Sequence, residues 1–169
     1  MIRRLARSVA APGRSRVGRV FAASIVAAIA VAGLNVASAS PASAAAGSWT
    51  DYGNRNPITS SSATWKCNGT VAITSGVGAQ VCAIRSSGGG ATQAAIIVRN
   101  NLSGAYWIGG HVELWDWANT QRISAWDCAG HDVRSNTWSV CFGKTLTFGA
   151  YVNAKGNAGG KNLGLTGRV

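Results

Sequence analysis

The stretch His111-Val112-Glu113-Leu114-Trp115-Asp116-Trp117, followed by Arg122-Ile123-Ser124-Ala125-Trp126-Asp127-Cys128, decides the fold class. Side chains of a strand point alternately to opposite faces, so Val112 and Leu114 share one side and His111, Glu113, Trp115 and Trp117 the other. In the second run Ile123 and Ala125 oppose Arg122, Ser124, Trp126 and Cys128. A two-residue turn at Asn119-Thr120 would pair Trp117 with Arg122, Trp115 with Ser124 and Glu113 with Trp126. That register gathers the aliphatics as core and sets Trp115, Trp117, Trp126, Arg122 and Glu113 together on the opposite face. A slip of one residue would scramble both faces.

Outward from this hairpin the same texture recurs. Runs rich in β-branched and aromatic residues lie at Thr70–Thr74, Ala79–Arg85, Thr92–Arg99, Thr137–Phe142 and Thr145–Val152, separated by Gly, Asn and Ser. With the hairpin they make seven short strands and no helical stripe, which predicts an all-β, immunoglobulin-like β-sandwich over residues 65–152. Gly88-Gly89-Gly90 reads as a hairpin turn; no helix follows it, so it is no phosphate-binding loop. Cys67, Cys82, Cys128 and Cys141 allow three pairings. Cys67–Cys82 and Cys128–Cys141 are expected, because each pair brackets a turn-rich segment that returns one strand beside its neighbour. A closed loop of about 15 residues is worth about 3 kcal/mol in the chain-entropy picture. Zinc is not expected, since no C-x-x-C spacing occurs.

Both ends of the chain differ from this middle. Arg3, Arg4, Arg7, Arg14, Arg16 and Arg19 precede an apolar run from Phe21 to Val36 that ends in Ala37-Ser38-Ala39 and Ala42-Ser43-Ala44. This is the export pattern, so residues 1–44 are expected to be a signal peptide cleaved after Ala44, and the domain to be secreted. Six of the 16 basic residues lie in the leader; the ten that remain stand against five acids, a net charge of +5. That balance suits solubility and a mild attraction to anionic cell walls. Nucleic acid is not an expected partner, nor is a membrane once the leader is gone. Residues 45–64 are polar and aperiodic apart from Trp49, Tyr52 and Ile58, and predict an extended arm or linker. Residues 153–169 hold five glycines and three basic side chains. Leu163 and Leu165 could form a last edge strand there, but a mobile basic tail is expected.

The chain offers little chemistry. Asp116 and Asp127 are the only close carboxylate pair, and the register above turns Asp116 inward, away from any shared cleft. No G-x-S-x-G elbow occurs. His111 and Glu113 share a strand face and Asp127, His131 and Asp132 follow on the paired strand, a set that could attract a borderline divalent ion. Two histidines are nonetheless ordinary, and Gly130-His131-Asp132 reads as a polar loop. No catalytic residue, metal or cofactor is expected. The seven tryptophans carry more weight, because indole faces stack on sugar rings and bury large areas in interfaces. Trp138, alternating with Val140 and next to Cys141, is expected in the core with some of Trp65 and Trp107. Trp115, Trp117 and Trp126 read either as core or, with Arg122, as a candidate contact face.

The runs Thr64-Trp65-Lys66-Cys67, Val81-Cys82, Val98-Arg99-Asn100, Val112-Glu113-Leu114-Trp115 and Thr137-Trp138-Ser139-Val140-Cys141-Phe142-Gly143 resemble small secreted β-sandwich proteins of filamentous high-GC Gram-positive bacteria. The layout is also similar to that of the adaptor subunit of secreted umbrella toxin particles. That resemblance implies an extended amino-terminal segment docking into a repeat-containing scaffold while the folded domain holds a lectin-like subunit. The expectation is therefore a non-catalytic binding module, an adaptor in an extracellular assembly of secreted proteins, with Trp49, Tyr52 and Ile58 as anchors of a docking arm. Cell-wall glycan bound by the tryptophan face is the alternative, and a secreted protease inhibitor the third reading.

Overall fold

A computed structural model describes residues 43–169, so the leader expected over residues 1–44 lies, but for its last two positions, outside the described residues. The described chain is all-β. Its strands are β1 (Ala45–Ala46), β2 (Ser48–Gly53), β3 (Thr64–Cys67), β4 (Val71–Thr74), β5 (Val77–Arg85), β6 (Ala91–Asn100), β7 (Tyr106–Asp116), β8 (Arg122–Val133), β9 (Thr137–Phe142), β10 (Leu146–Thr147), β11 (Val152–Ala158) and β12 (Lys161–Leu165). They form two packed sheets. One has the order β1-β8-β7-β11-β12; the other runs β2-β9-β6-β5-β3, with β10 added to β6 and β4 to β5.

The core between the sheets is built by alternation. Val81, Ala83, Ala94, Ile96 and Val98 of the seven-stranded sheet meet Val112, Leu114, Trp126, Val152, Ala154 and Leu163 of the other. The Cys128–Cys141 disulfide spans this core and ties β8 to β9. Cys67–Cys82 joins β3 to its neighbour β5, where the two residues are direct cross-strand partners. Both pairings are those the spacing predicts.

Along β5 and β6 the residues between the core positions are also buried: Cys82, Ile84, Ala95 and Ile97, with Val140 of β9. A strand that is apolar at nearly every position needs cover on both faces. The cover is the chain itself. β2 and β3 lie at opposite edges of the seven-stranded sheet, and residues 54–63 cross its outer face between them. Pro57 is buried on the way, and Ile58 and Ala63 pack on the outer cluster beside Tyr52, Trp65 and Phe142. Asn56 shapes the crossing: its side chain accepts from Ile58 N–H at 3.0 Å and its carbonyl from Ser60 N–H at 3.2 Å.

Residues 45–64 are thus no free arm. β1 pairs in parallel with β8 at the edge of one sheet, and β2 pairs antiparallel with β9 at the edge of the other. Gly47 makes the step between sheets directly over the Cys128–Cys141 bridge; a Cβ there would stand 2.7 Å from Cys141 Sγ and 3.3 Å from Cys128 Sγ. Trp49 faces the inter-sheet core and Tyr52 the outer cluster. With one aromatic per face the stretch shows no periodicity, and its pairing rests on backbone hydrogen bonds that composition does not announce.

Residues 153–169 are likewise no free tail. β11 pairs with β7 along its whole length and β12 folds back on β11. The chain then stays beside β11, where Val152 and Val169 exchange backbone hydrogen bonds of 3.2 and 3.0 Å. Leu163 and Val169 are buried. The glycines mark close approach: a Cβ on Gly110 would lie 2.4 Å from the Asn157 carbonyl oxygen and 2.9 Å from the Ile96 side chain. The strand expected over Thr145–Val152 shrinks to β10 before the chain returns to the first sheet. Arg85 pins that return, donating to the carbonyls of Gly89, Phe148, Ala150 and Val169.

Candidate functional face

The β7–β8 hairpin closes through a longer turn than two residues. Asp116 Oδ1 accepts from the N–H groups of Thr120 at 2.7 Å and Gln121 at 3.0 Å, Oδ2 accepts from the Thr120 hydroxyl, and Asn119 takes φ 58°. The backbone N–H of Gln121, the Thr120 hydroxyl and the neighbouring amides hold the Asp116 carboxyl below its ordinary pKa. Asp116 is a turn anchor, remote in role from any acid–base pair.

The longer turn moves the register. Trp115 pairs with Arg122, Glu113 with Ala125, Val112 with Trp126 and His111 with Asp127, with irregularities at Ile108/Gly110 and Leu114/Trp115. Relative to the expected pairing β8 is turned over. Trp126 therefore faces inward, 1 % exposed, with Gly143 against its ring. Trp107, a core candidate by sequence, is 66 % exposed. Trp138 is only half-buried, on the outer cluster of the seven-stranded sheet with Arg99 5.3 Å from its ring centre.

The seven candidate contact residues accordingly separate. Trp126 is core, and Trp49, Tyr52 and Ile58 pack on their own domain. Trp115, Trp117 and Arg122 remain together on the outer face of the five-stranded sheet. Lys155, Asn157 and Asn162, from the segment expected to be a tail, join them through β11 and β12, and Tyr151 joins them just ahead of β11. Their signal was the alternation Asn153-Ala154-Lys155-Gly156-Asn157-Ala158, a period of two masked by its small residues.

Glu113 organises the middle of this face. Its Oε2 accepts from Trp115 Nε1 at 2.8 Å and its Oε1 from Arg122 Nη1 at 3.0 Å, with His111 Nε2 at 3.5 Å. Partial burial would raise its pKa, but the bonds from Trp115, Arg122 and His111 outweigh it and bring the carboxyl below the usual range. A carboxylate so held is a poor proton donor. His111 Nδ1 meets Asp127 Oδ1 at 2.6 Å, and Lys155 Nζ lies 4.1 Å from the Trp115 ring centre. His111, Glu113, Lys155, Asn157 and Asn162 line a shallow open groove of about 370 Å³. Trp117 and Tyr151, joined by a backbone hydrogen bond of 3.2 Å, stand at its end 57 % and 56 % exposed.

The second histidine belongs to a structural tie. His131 stacks on Trp49 with ring centres 4.9 Å apart, and its Nε2 meets Asp51 Oδ1 at 3.0 Å. The buried Ser139 hydroxyl donates to that same oxygen at 2.7 Å. Serine, histidine and aspartate are all present, yet His131 and Ser139 both bond the carboxylate and not each other, unlike a nucleophile–base pair. The Ser139 bond, then His131, holds the Asp51 carboxyl below its ordinary pKa against a desolvation that would raise it. Among the described residues no three His, Cys, Asp or Glu side chains are grouped to hold a metal ion, and no helix is long and apolar enough to cross a membrane.

Fold and face together define a disulfide-tied two-sheet β-sandwich with one outer face covered by its own chain and the other left uncovered by the described residues and rich in aromatic and hydrogen-bonding side chains. No family model, curated protein or solved structure matches the chain significantly.

Proposed function

We propose that this is an exported, non-catalytic binding module whose working surface is the outer face of the five-stranded sheet and whose ligand is a neutral glycan. The contrast between the two sheets carries the reading. The chain spends residues 54–63 on covering one sheet, while on the other it leaves Trp117 and Tyr151 more than half exposed beside a groove of planar polar groups. Exposed aromatic faces beside fixed donors and acceptors are what a sugar ring, apolar on its faces and polar at its rim, requires. The test is co-sedimentation of the purified exported protein with insoluble cellulose and chitin. Wild type should pellet, and Trp117→Ala with Tyr151→Ala should stay in the supernatant with an unchanged melting temperature. Wild type remaining in the supernatant at every glycan load refutes the glycan ligand.

An adaptor role toward another secreted protein is the second reading. Its support is the composition of the same end of the face, where Trp117, Tyr151 and Arg122 are joined by Arg168, whose guanidinium lies 5.1 Å from the Tyr151 ring centre. Trp, Tyr and Arg are the residues that dominate protein interfaces. In that reading the partner sits on this face; residues 45–53, already paired within the domain, have no arm to offer. Capture of a culture-supernatant protein that is lost with the same double substitution distinguishes it.

A further inference from the structure

The outer row of β7 continues past the groove. Trp117, Trp115, Glu113 and His111 are followed, beyond the irregularity at Ile108/Gly110, by Trp107, whose cross-strand neighbour is Asp132. Trp107 is the most exposed large apolar side chain of the described residues, 66 % open to solvent. Its ring lies over Gly130 of β8: a Cβ added there would come within 2.3 Å of one ring carbon, 2.4 Å of a second and 2.6 Å of Nε1. The indole is thus seated against the β8 backbone at Gly130 while most of it stays open to solvent. At a rise of about 3.3 Å per residue, the row from Trp107 to Trp117 is about 30 Å long. It carries an aromatic platform at each end and the polar groove between them.

The charges of this face are balanced within a basic domain. Glu113, Asp127 and Asp132 stand against Arg122, Lys155 and Arg168, whereas residues 45–169 as a whole hold ten basic side chains and five acids. Glu113 is already bridged to Arg122, and Lys155 and Arg168 are stacked on Trp115 and Tyr151. Such a surface complements an uncharged ligand better than a polyanion.

From this arrangement we infer that the ligand is an extended, unbranched neutral oligosaccharide lying along β7, with Trp107 as a second aromatic subsite distant from Trp117 and Tyr151. The inference rests on the glycan reading above and adds chain length and the far subsite to it. A short sugar reaches one platform; a chain long enough to touch both gains the second contact without a second association cost.

Isothermal titration of the exported protein with cello- and chito-oligosaccharides, from disaccharide to hexasaccharide, tests it. In whichever series binds, affinity should rise by about tenfold or more from disaccharide to hexasaccharide, the scale of one truncation-sensitive aromatic contact. Trp107→Ala should abolish that gain and leave disaccharide affinity unchanged. Gly130→Val, which displaces the ring while keeping it, should do the same. Equal affinity at all lengths, or equal loss of disaccharide and hexasaccharide binding in Trp107→Ala, overturns the extended site while leaving the glycan reading intact. Absence of binding at every length in both series overturns both.

Discussion

Replacing Trp126 by alanine separates the observed register from the one the hairpin sequence suggests. Trp126 is 1 % exposed, faces Val112 across the β7–β8 ladder and has Gly143 against its ring. A buried indole removes about 150–250 Å² from water, which at about 25 cal/mol per Å² is about 4–6 kcal/mol. Residual compactness of the unfolded chain lowers this, and about 4 kcal/mol is expected, within the usual span for truncating a buried tryptophan. That is a large part of the stability of a domain this size. Urea unfolding with both disulfides intact should show the loss as a lower midpoint with an unchanged slope. Trp117→Ala, on the exposed side of the same hairpin, should change stability by no more than about 0.5 kcal/mol. If Trp126→Ala costs less than about 1 kcal/mol, no more than Trp117→Ala, β8 is paired one residue out and its inward and outward faces must be exchanged.

Three further outcomes follow from the fold. Gly47→Ala places a methyl group 2.7 Å from Cys141 Sγ; it should cost about 1–3 kcal/mol, as overpacking does, and speed reduction of Cys128–Cys141 more than that of Cys67–Cys82 in timed thiol-labelling. Arg85→Ala leaves the carbonyls of Gly89, Phe148, Ala150 and Val169 without their shared donor; a loss of about 2–3 kcal/mol is expected, with faster amide exchange at Val152 and Val169. Asp51, Glu113 and Asp116 all have folded pKa values below their ordinary ones. On acidification the unfolded chain takes up these protons first, so their stabilisation is complete above about pH 5, weakens as the pH falls through about 4 and is lost below the folded values. Asp51→Asn should flatten that acid limb in melting curves recorded between neutral and strongly acidic pH.

The strand pattern of the chain's middle is legible because alternation there is carried by large residues. β5 to β9 and both disulfides follow from Val, Ile, Trp and Cys at regular spacing. The register was not, because it hangs on Asp116, whose carboxylate organises the turn through two backbone amides; a count of turn residues cannot tell that from a two-residue hairpin. The terminal strands were hidden for a different reason. In β2 one aromatic serves each face, and in β11 Ala154 and Gly156 face the core where the sheets come close, so small size stands in for hydrophobicity. Lys155, Asn157 and Asn162 of the candidate face therefore lie in a segment that reads as a tail. The exposure of Trp107 is not legible in the sequence, because the glycine that seats it, Gly130, lies on the neighbouring strand.

The uncovered sheet face can be interrogated directly through the indole N–H resonances of the seven tryptophans. On titration with a neutral cello- or chito-hexasaccharide, the signals of Trp107, Trp115 and Trp117 should move together and saturate, while those of Trp49, Trp65, Trp126 and Trp138 stay in place. Movement confined to Trp65 and Trp138, on the opposite sheet, or no movement at any saccharide concentration, would contradict the account.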